Sequence, residues 1–213
     1  MFNSMNNIEK KTFRQIRYDA KKIQILESAA RIFARKGFEK ATVEEIANEL
    51  YMTKGSLYYY IKSKEDMLFQ CHMMALEMTN EVMGEVLKSD LPPDLKLRNA
   101  IMGQTEVLTK EFVVGALRQQ ELLLPKRMLK KVVAERDKFE KTFFKILEEG
   151  VKKGLFEKND MKIKGYAILG ATNWVPRWYS LSGKLSPRQI GEIIAEFAVK
   201  GLLKSSVSKL SKE

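Results

Sequence analysis

An all-α fold of about nine helices is predicted for this chain, with a helix-turn-helix unit over residues 1–64 and a larger helical unit over 65–213. Three observations predict it. Apolar residues recur at spacings of three and four through every long segment, the period of a helix with one buried face. Four of those segments open on cap residues, Thr42, Thr53, Ser63 and Ser186. With 12 Gly and 5 Pro in 213 residues, and little strand-like alternation, turns are too few for a sheet.

Charge narrows the partners. The formal net charge is +11, and residues 1–64 carry 13 basic against 7 acidic side chains, so the first third holds more than half of the excess. A basic unit points to a polyanion, either nucleic acid or an anionic membrane surface. One cysteine, Cys71, allows no intrachain disulfide, which with the lack of a signal-like apolar run near the start leads us to expect a reducing cytoplasm. No run approaches the roughly 18 apolar residues of a membrane helix, so no membrane partner is expected.

Residues 1–17 are polar. Lys10, Lys11, Arg14 and Arg17 make them basic, as either a solvated tail or an arm on phosphate or in the minor groove. A first long helix is predicted over 19–36, with Ile25, Leu26, Ala29, Ile32 and Phe33 inward and Gly37 as its stop. Thr42 and Glu45 form a capping-box pair ahead of Val43, Ile46, Ala47 and Leu50. Tyr51-Met52 leaves room only for a turn. Thr53 then caps a helix over 54–61, in which Leu57 and Ile61 can face a core while Lys54, Ser56, Tyr58, Tyr59 and Tyr60 cannot all do so. Gly55 lets the backbone come close to something at the helix start. Short polar groups, a lysine and phenols at the front of a short helix suit the major groove of DNA; the bland alternative is that the tyrosines are core edges.

From 64 to 88 a longer helix links this unit to the remainder, and Ser89–Pro93 breaks it. Further helices are predicted over 94–109, 111–123, 126–153, 160–182 and 187–204, with a polar tail over 205–213. His72, the single histidine, has no ligand at metal spacing, and no phosphate loop, nucleophile elbow or catalytic relay is present. An enzyme, a metal site and a cofactor are therefore not expected.

The run Ile25-Leu26, Ala29-Ala30, Phe33, Gly37-Phe38, Thr42-Val43, Ile46-Ala47, Thr53 to Tyr58, Tyr60-Ile61 and Ser63-Lys64-Glu65 resembles the DNA-binding domain of the TetR family of bacterial regulators. Two positions depart from that pattern: Tyr51 where the family has a turn glycine, and Ile61 where it favours Phe. A bulky residue at a positive φ costs about 1 kcal/mol or more. The resemblance implies a homodimer on double-stranded operator DNA, with Thr42, Thr53, Lys54, Gly55, Ser56, Tyr58, Tyr59, Lys64 and Arg14 as the DNA-contacting set.

Residues 166–181 are nearly uncharged, with Arg177 the exception. Trp174 and Trp178 lie one turn apart, and Pro176, placed mid-helix, should kink it. This is either plain core with Arg177 paired to a carboxylate, or a pocket wall whose cation meets an anionic ligand. Asn173-Trp174, Arg177-Trp178-Tyr179, Gly183 and Leu185-Ser186 resemble a TetR branch that senses acyl-coenzyme A thioesters. That likeness implies Trp174, Arg177, Trp178 and Tyr179 as effector-binding residues and a long-chain acyl-coenzyme A as the small effector. A multidrug-type regulator of apolar cations is the alternative within the family. A basic helical protein binding DNA or membrane without sequence preference is the alternative outside it. The last helix opens on Ser186, Pro187 and Gln189, and its small residues Gly191, Ala195 and Ala198, beside Ile194, are expected to meet a second chain. The reading as a whole is a transcriptional repressor released by its effector.

Overall fold

The computed structural model describes residues 12–117 and 123–204. Among them are nine helices: α1 Phe13–Lys36, α2 Val43–Glu49, α3 Lys54–Tyr58, α4 Lys64–Lys88, α5 Pro93–Leu108, α6 Glu111–Leu117, α7 Lys126–Lys152, α8 Met161–Trp178 and α9 Pro187–Leu202. The predicted all-α class holds, and α4 and α7 match their expected spans almost to the residue. The segments 1–11, with Lys10 and Lys11, and 205–213 lie outside the described residues, as does 118–122 of the helix expected over 111–123.

Local chemistry sets most helix ends. The Thr42 hydroxyl accepts from the Glu45 amide at 3.2 Å while the Glu45 carboxylate accepts from the Thr42 amide at 3.1 Å, a complete capping box. Ser186 and Gln189 build the same device on α9. One start was misplaced: α1 begins at Phe13, because Thr12 caps it by accepting from the Gln15 amide at 3.3 Å. Arg14 and Arg17 therefore sit on an ordered helix rather than on an irregular arm. The helix α3 is shorter than expected: it ends at Tyr58, and residues 59–60 form a turn. Pro176 falls in the last turn of α8, which ends at Trp178 instead of continuing to 182, so the proline sits beside a terminus and not in a mid-helix kink. Tyr51 adopts φ 53° with its ring wholly exposed, so the turn keeps the left-handed geometry that a glycine would make easier.

Two large cores result. One gathers Ile25, Phe33, Ile46, Leu57 and Ile61 with Met67, Leu68 and Cys71 of α4, and reaches Ala116 and Val132 of α6 and α7. It does not stop at residue 64. The other packs Met83, Leu97 and Ile101 on Phe143, Ile146, Leu147 and Phe156, closed by Ala195 and Ala198 of α9. Helices α6 and α1 approach until backbone nearly meets backbone: a Cβ on Gly115 would lie 2.3 Å from the carbonyl oxygen of Ala30. Cys71 is fully buried, its Sγ donating to the Leu26 carbonyl at 3.5 Å, and burial pushes its thiol up to about 12.

Lys64 has a different role from the one the sequence suggested. Its ammonium donates to the carbonyls of Phe38, Glu39 and Ala41 at 2.8, 3.2 and 3.2 Å and lies 4.5 Å from the centre of the Phe38 ring. All three of its protons are thus used inside the protein, tying the α1–α2 loop to the start of α4. At that helix start the Ser63 hydroxyl accepts from the Asp66 amide, and the Asp66 carboxylate accepts from the Lys62 amide just ahead of the helix. Removing a charged donor from several carbonyls costs about 1.5–3 kcal/mol. Lys64→Met is therefore expected to lower unfolding stability by that amount in urea titrations. Unchanged stability would return Lys64 to the surface.

Candidate nucleic-acid interface and internal cavity

The N-terminal unit sorts its side chains sharply. In α3, Leu57 is fully buried, while Lys54, Gly55, Ser56 and Tyr58 are exposed. Thr53 holds the helix start: its Oγ1 accepts from the Ser56 amide at 3.1 Å and lies 2.9 Å from the Ser56 hydroxyl. A Cβ on Gly55 would meet nothing closer than the Thr53 Oγ1 at 4.0 Å, so packing does not demand this glycine and the first turn of α3 is left bare on its outer side. Lys54 forms an ion pair with Glu44 of α2, whose carboxyl the hydrogen bond from that lysine holds below the usual range. Thr42 is exposed at the head of α2 with its hydroxyl engaged in the capping box. Arg14 is exposed on the first turn of α1.

The three consecutive tyrosines separate. Tyr58 is 44% exposed on the outer face. Tyr60 stacks on Tyr18 of α1 with ring centres 4.9 Å apart, and Tyr59 meets both edge-on, at 5.1 Å from Tyr60 and 5.8 Å from Tyr18. Tyr59, though 63% exposed, also belongs to the brace between α3 and α1. Sequence reasoning missed Tyr18, which lies outside the segment that α1 was expected to cover.

A cavity of about 320 Å³ lies among α4, α5, α6, α7 and α8. Ala75 and Leu76 of α4, Leu108 of α5, Leu117 of α6, and Val132 and Phe139 of α7 give it apolar walls. His72 and Thr79 of α4 and Gln104 of α5 are buried in it, and Asn173, Trp174, Arg177 and Arg136 line its exposed side. Of the four residues expected at an effector, two are here. The guanidinium of Arg177 lies 5.3 Å from the centre of the Trp174 ring, a cation–π distance. The side chain is exposed and rests on the indole, so it is not a core arginine, and burial does not oblige it to pair with an anion. Trp178 is exposed and does not line the cavity. Tyr179 is buried with Val114, Val175 and Ile190 in a separate small core. Larger in volume, at about 630 Å³, is an open groove along α4 lined by Glu77, Glu81, Glu85 and Glu135. Half of its lining residues are acidic, and it touches none of the residues above.

The small residues of α9 face inward. Gly191 packs against α5, where a Cβ would lie 2.9 Å from the Met102 Cα; Ala195 and Ala198 are buried in the second core, and Ile194 packs partly against it. These four were expected at a partner chain, and the structure turns three of them into the protomer's own core. The opposite stripe is bare instead: Phe197 is 78% exposed, and Ile193 stands beside it, with Ile163 and Trp174 exposed on α8. A shallow apolar groove of about 230 Å³ runs between the two helices past Ala167, Ala171 and Phe197.

Among the described residues no three metal-ligating side chains come together, and no helix is long and apolar enough to cross a membrane. Residues 25–71 match the family described as bacterial regulatory proteins, tetR family, and residues 90–202 match the tetracyclin repressor-like C-terminal domain. The transcriptional repressor KstR2 of Mycobacterium tuberculosis is 26% identical over 187 residues, covering 86% of this chain and 94% of its own. The crystal structure of PfmR, a TetR family transcriptional regulator of Thermus thermophilus, superposes with a TM-score of 0.78 at 28% identity, over 84% of this chain and 99% of that one. AibR, solved in complex with isovaleryl coenzyme A and operator DNA, superposes with a TM-score of 0.70 at 25% identity, over 85% and 97%. These are regulators and not enzymes. With its exposed helix-turn-helix face, its helical C-terminal half and both family matches, the chain belongs to the TetR family of DNA-binding transcriptional repressors.

Proposed function

We propose that this repressor binds its operator as a homodimer through the outer face of α3, and that an acyl-coenzyme A thioester entering the cavity releases it. The observation that carries the effector reading is the cavity itself, mostly apolar within and bordered on its exposed side by Arg136 and Arg177. An acyl group suits the apolar walls, and the phosphates of a coenzyme A head suit two arginines at the rim. The neighbour AibR, solved with isovaleryl coenzyme A, supports that class of ligand. At about 320 Å³ the volume lies at the low end for ligand sites, which favours a short or compact acyl group over the long chain first expected. The multidrug alternative is disfavoured: no Asp or Glu is found among the described residues lining the cavity.

The route from cavity to DNA is short. Helix α4 lines the cavity with His72, Ala75, Leu76 and Thr79, and one to two turns earlier anchors the N-terminal core with Met67 and Leu68. Leu117 lines it from α6, the helix that meets α1 at Gly115. A ligand that binds better to one spacing of the two α3 helices in a dimer shifts the population to that spacing, and operator affinity falls by the differential binding energy.

Three outcomes follow. Ser56→Ala and Tyr58→Ala should each weaken operator binding by about tenfold with circular dichroism unchanged, a loss of ~1.4 kcal/mol in anisotropy titrations. Wild-type affinity in both variants would move the reading surface off α3. Phe197→Glu should give monomers in sedimentation at micromolar concentration, because a carboxylate buried between helices lacks a partner. A persistent dimer would place the interface elsewhere. Coenzyme A thioesters should release the operator where the free acids and free coenzyme A do so poorly, and Arg177→Ala should raise the thioester concentration required while leaving DNA affinity intact. No release by any thioester would remove this effector class.

A further inference from the structure

The buried wall of the cavity is not uniformly apolar. His72, Thr79 and Gln104 are buried, at 4%, 4% and 2% exposure, on two facing helices. His72 and Thr79 are two turns apart on α4, and Gln104 comes from α5. The Gln104 Nε2 donates to the Asn173 Oδ1 at 3.0 Å, across from α5 to α8. The Thr79 hydroxyl donates to the Ala75 carbonyl at 2.7 Å. These bonds use only part of what the groups can make. Gln104 retains a carbonyl oxygen and a second N–H, Asn173 retains its amide donors, and Thr79 retains its oxygen lone pairs.

A saturated chain filling this space would strip water from those atoms and return no hydrogen bond, and stranding a buried polar group is costly. A ligand with an oxygen at that level would replace the water in kind. Sites with buried hydrogen-bonding groups reject analogues that lack the matching atom far more strongly than apolar sites reject an added one. Resting on the thioester reading above, we infer that the acyl group recognised here is oxygenated, bearing a hydroxyl or ketone midway along a short chain or on a compact ring, held at Gln104 and Thr79. The apolar residues Leu76, Leu108 and Phe139 then contact the carbon skeleton on either side of that oxygen.

The test compares octanoyl-coenzyme A with the same thioester carrying a ketone or hydroxyl midway along its chain, read as release from a fluorescent operator fragment. The oxygenated ligand should release the wild-type protein at a concentration at least tenfold lower. In Gln104→Leu and in Thr79→Val, each checked for an unchanged melting profile, that preference should shrink or reverse, with the saturated thioester acting better than on the wild type. Equal potency of the two ligands on the wild-type protein overturns the inference and leaves the thioester reading standing. A preference that survives both substitutions overturns the assignment to these residues. Failure of every thioester, saturated or oxygenated, overturns the effector class and this inference together.

Discussion

The joint between the two halves of the molecule depends on the absence of a side chain at Gly115, where a Cβ would lie 2.3 Å from the Ala30 carbonyl oxygen. Helix α6 rests on α1 with nothing between the two backbones, so neither can shift without the other. Most helix pairs are cushioned by side chains that can change rotamer and absorb a small displacement. Here that slack is missing at the point where the cavity-bearing part meets the helix-turn-helix. The same α6 carries Leu117 in the cavity wall two residues later. A displacement that begins at the cavity therefore has little room to dissipate before it reaches α1.

What α1 receives it passes on through two further ties. The tyrosine brace of Tyr18, Tyr59 and Tyr60 joins its N-terminal half to the end of α3. Near its C-terminal end, Arg31 and Arg35 pair with Glu49 at 3.2 and 2.7 Å, and Lys36 pairs with Glu45. With Glu44 held by Lys54, all three acids of α2 are paired to bases on α1 or α3. Exposed pairs of this kind contribute little stability. Their electrostatic consequence matters more: carboxylates beside α3 that would repel phosphate are neutralised locally by neighbours already in place.

Much of this was legible in the sequence because it is local. Caps and apolar periods located α2, α4, α7 and α9, and the run from Ile25 to Glu65 carried the family. What was not legible depends on which neighbour a face meets. The apolar stripe of α9 was wide enough for two contacts, but periodicity could not say that Gly191, Ala195 and Ala198 turn to α5 and leave Phe197 bare. Lys64 looked like a surface cation because nothing in the local pattern announces three carbonyls arriving from residues 38–41. Arg177 looked buried because its helix carries so little charge, yet α8 keeps that side uncovered in a single chain. The start of α1 was missed since Phe13 and Ile16 are exposed and break the inward period.

The seclusion of Cys71 closes off one whole kind of regulation. Only a thiolate attacks peroxides or disulfides at a useful rate, and burial pushes this thiol up to about 12, so it stays protonated at neutral pH. The sulfur is also fully buried, donating to the Leu26 carbonyl between α1 and α4. Oxidative stress would leave this thiol unchanged, so its chemistry gives the regulator no redox signal.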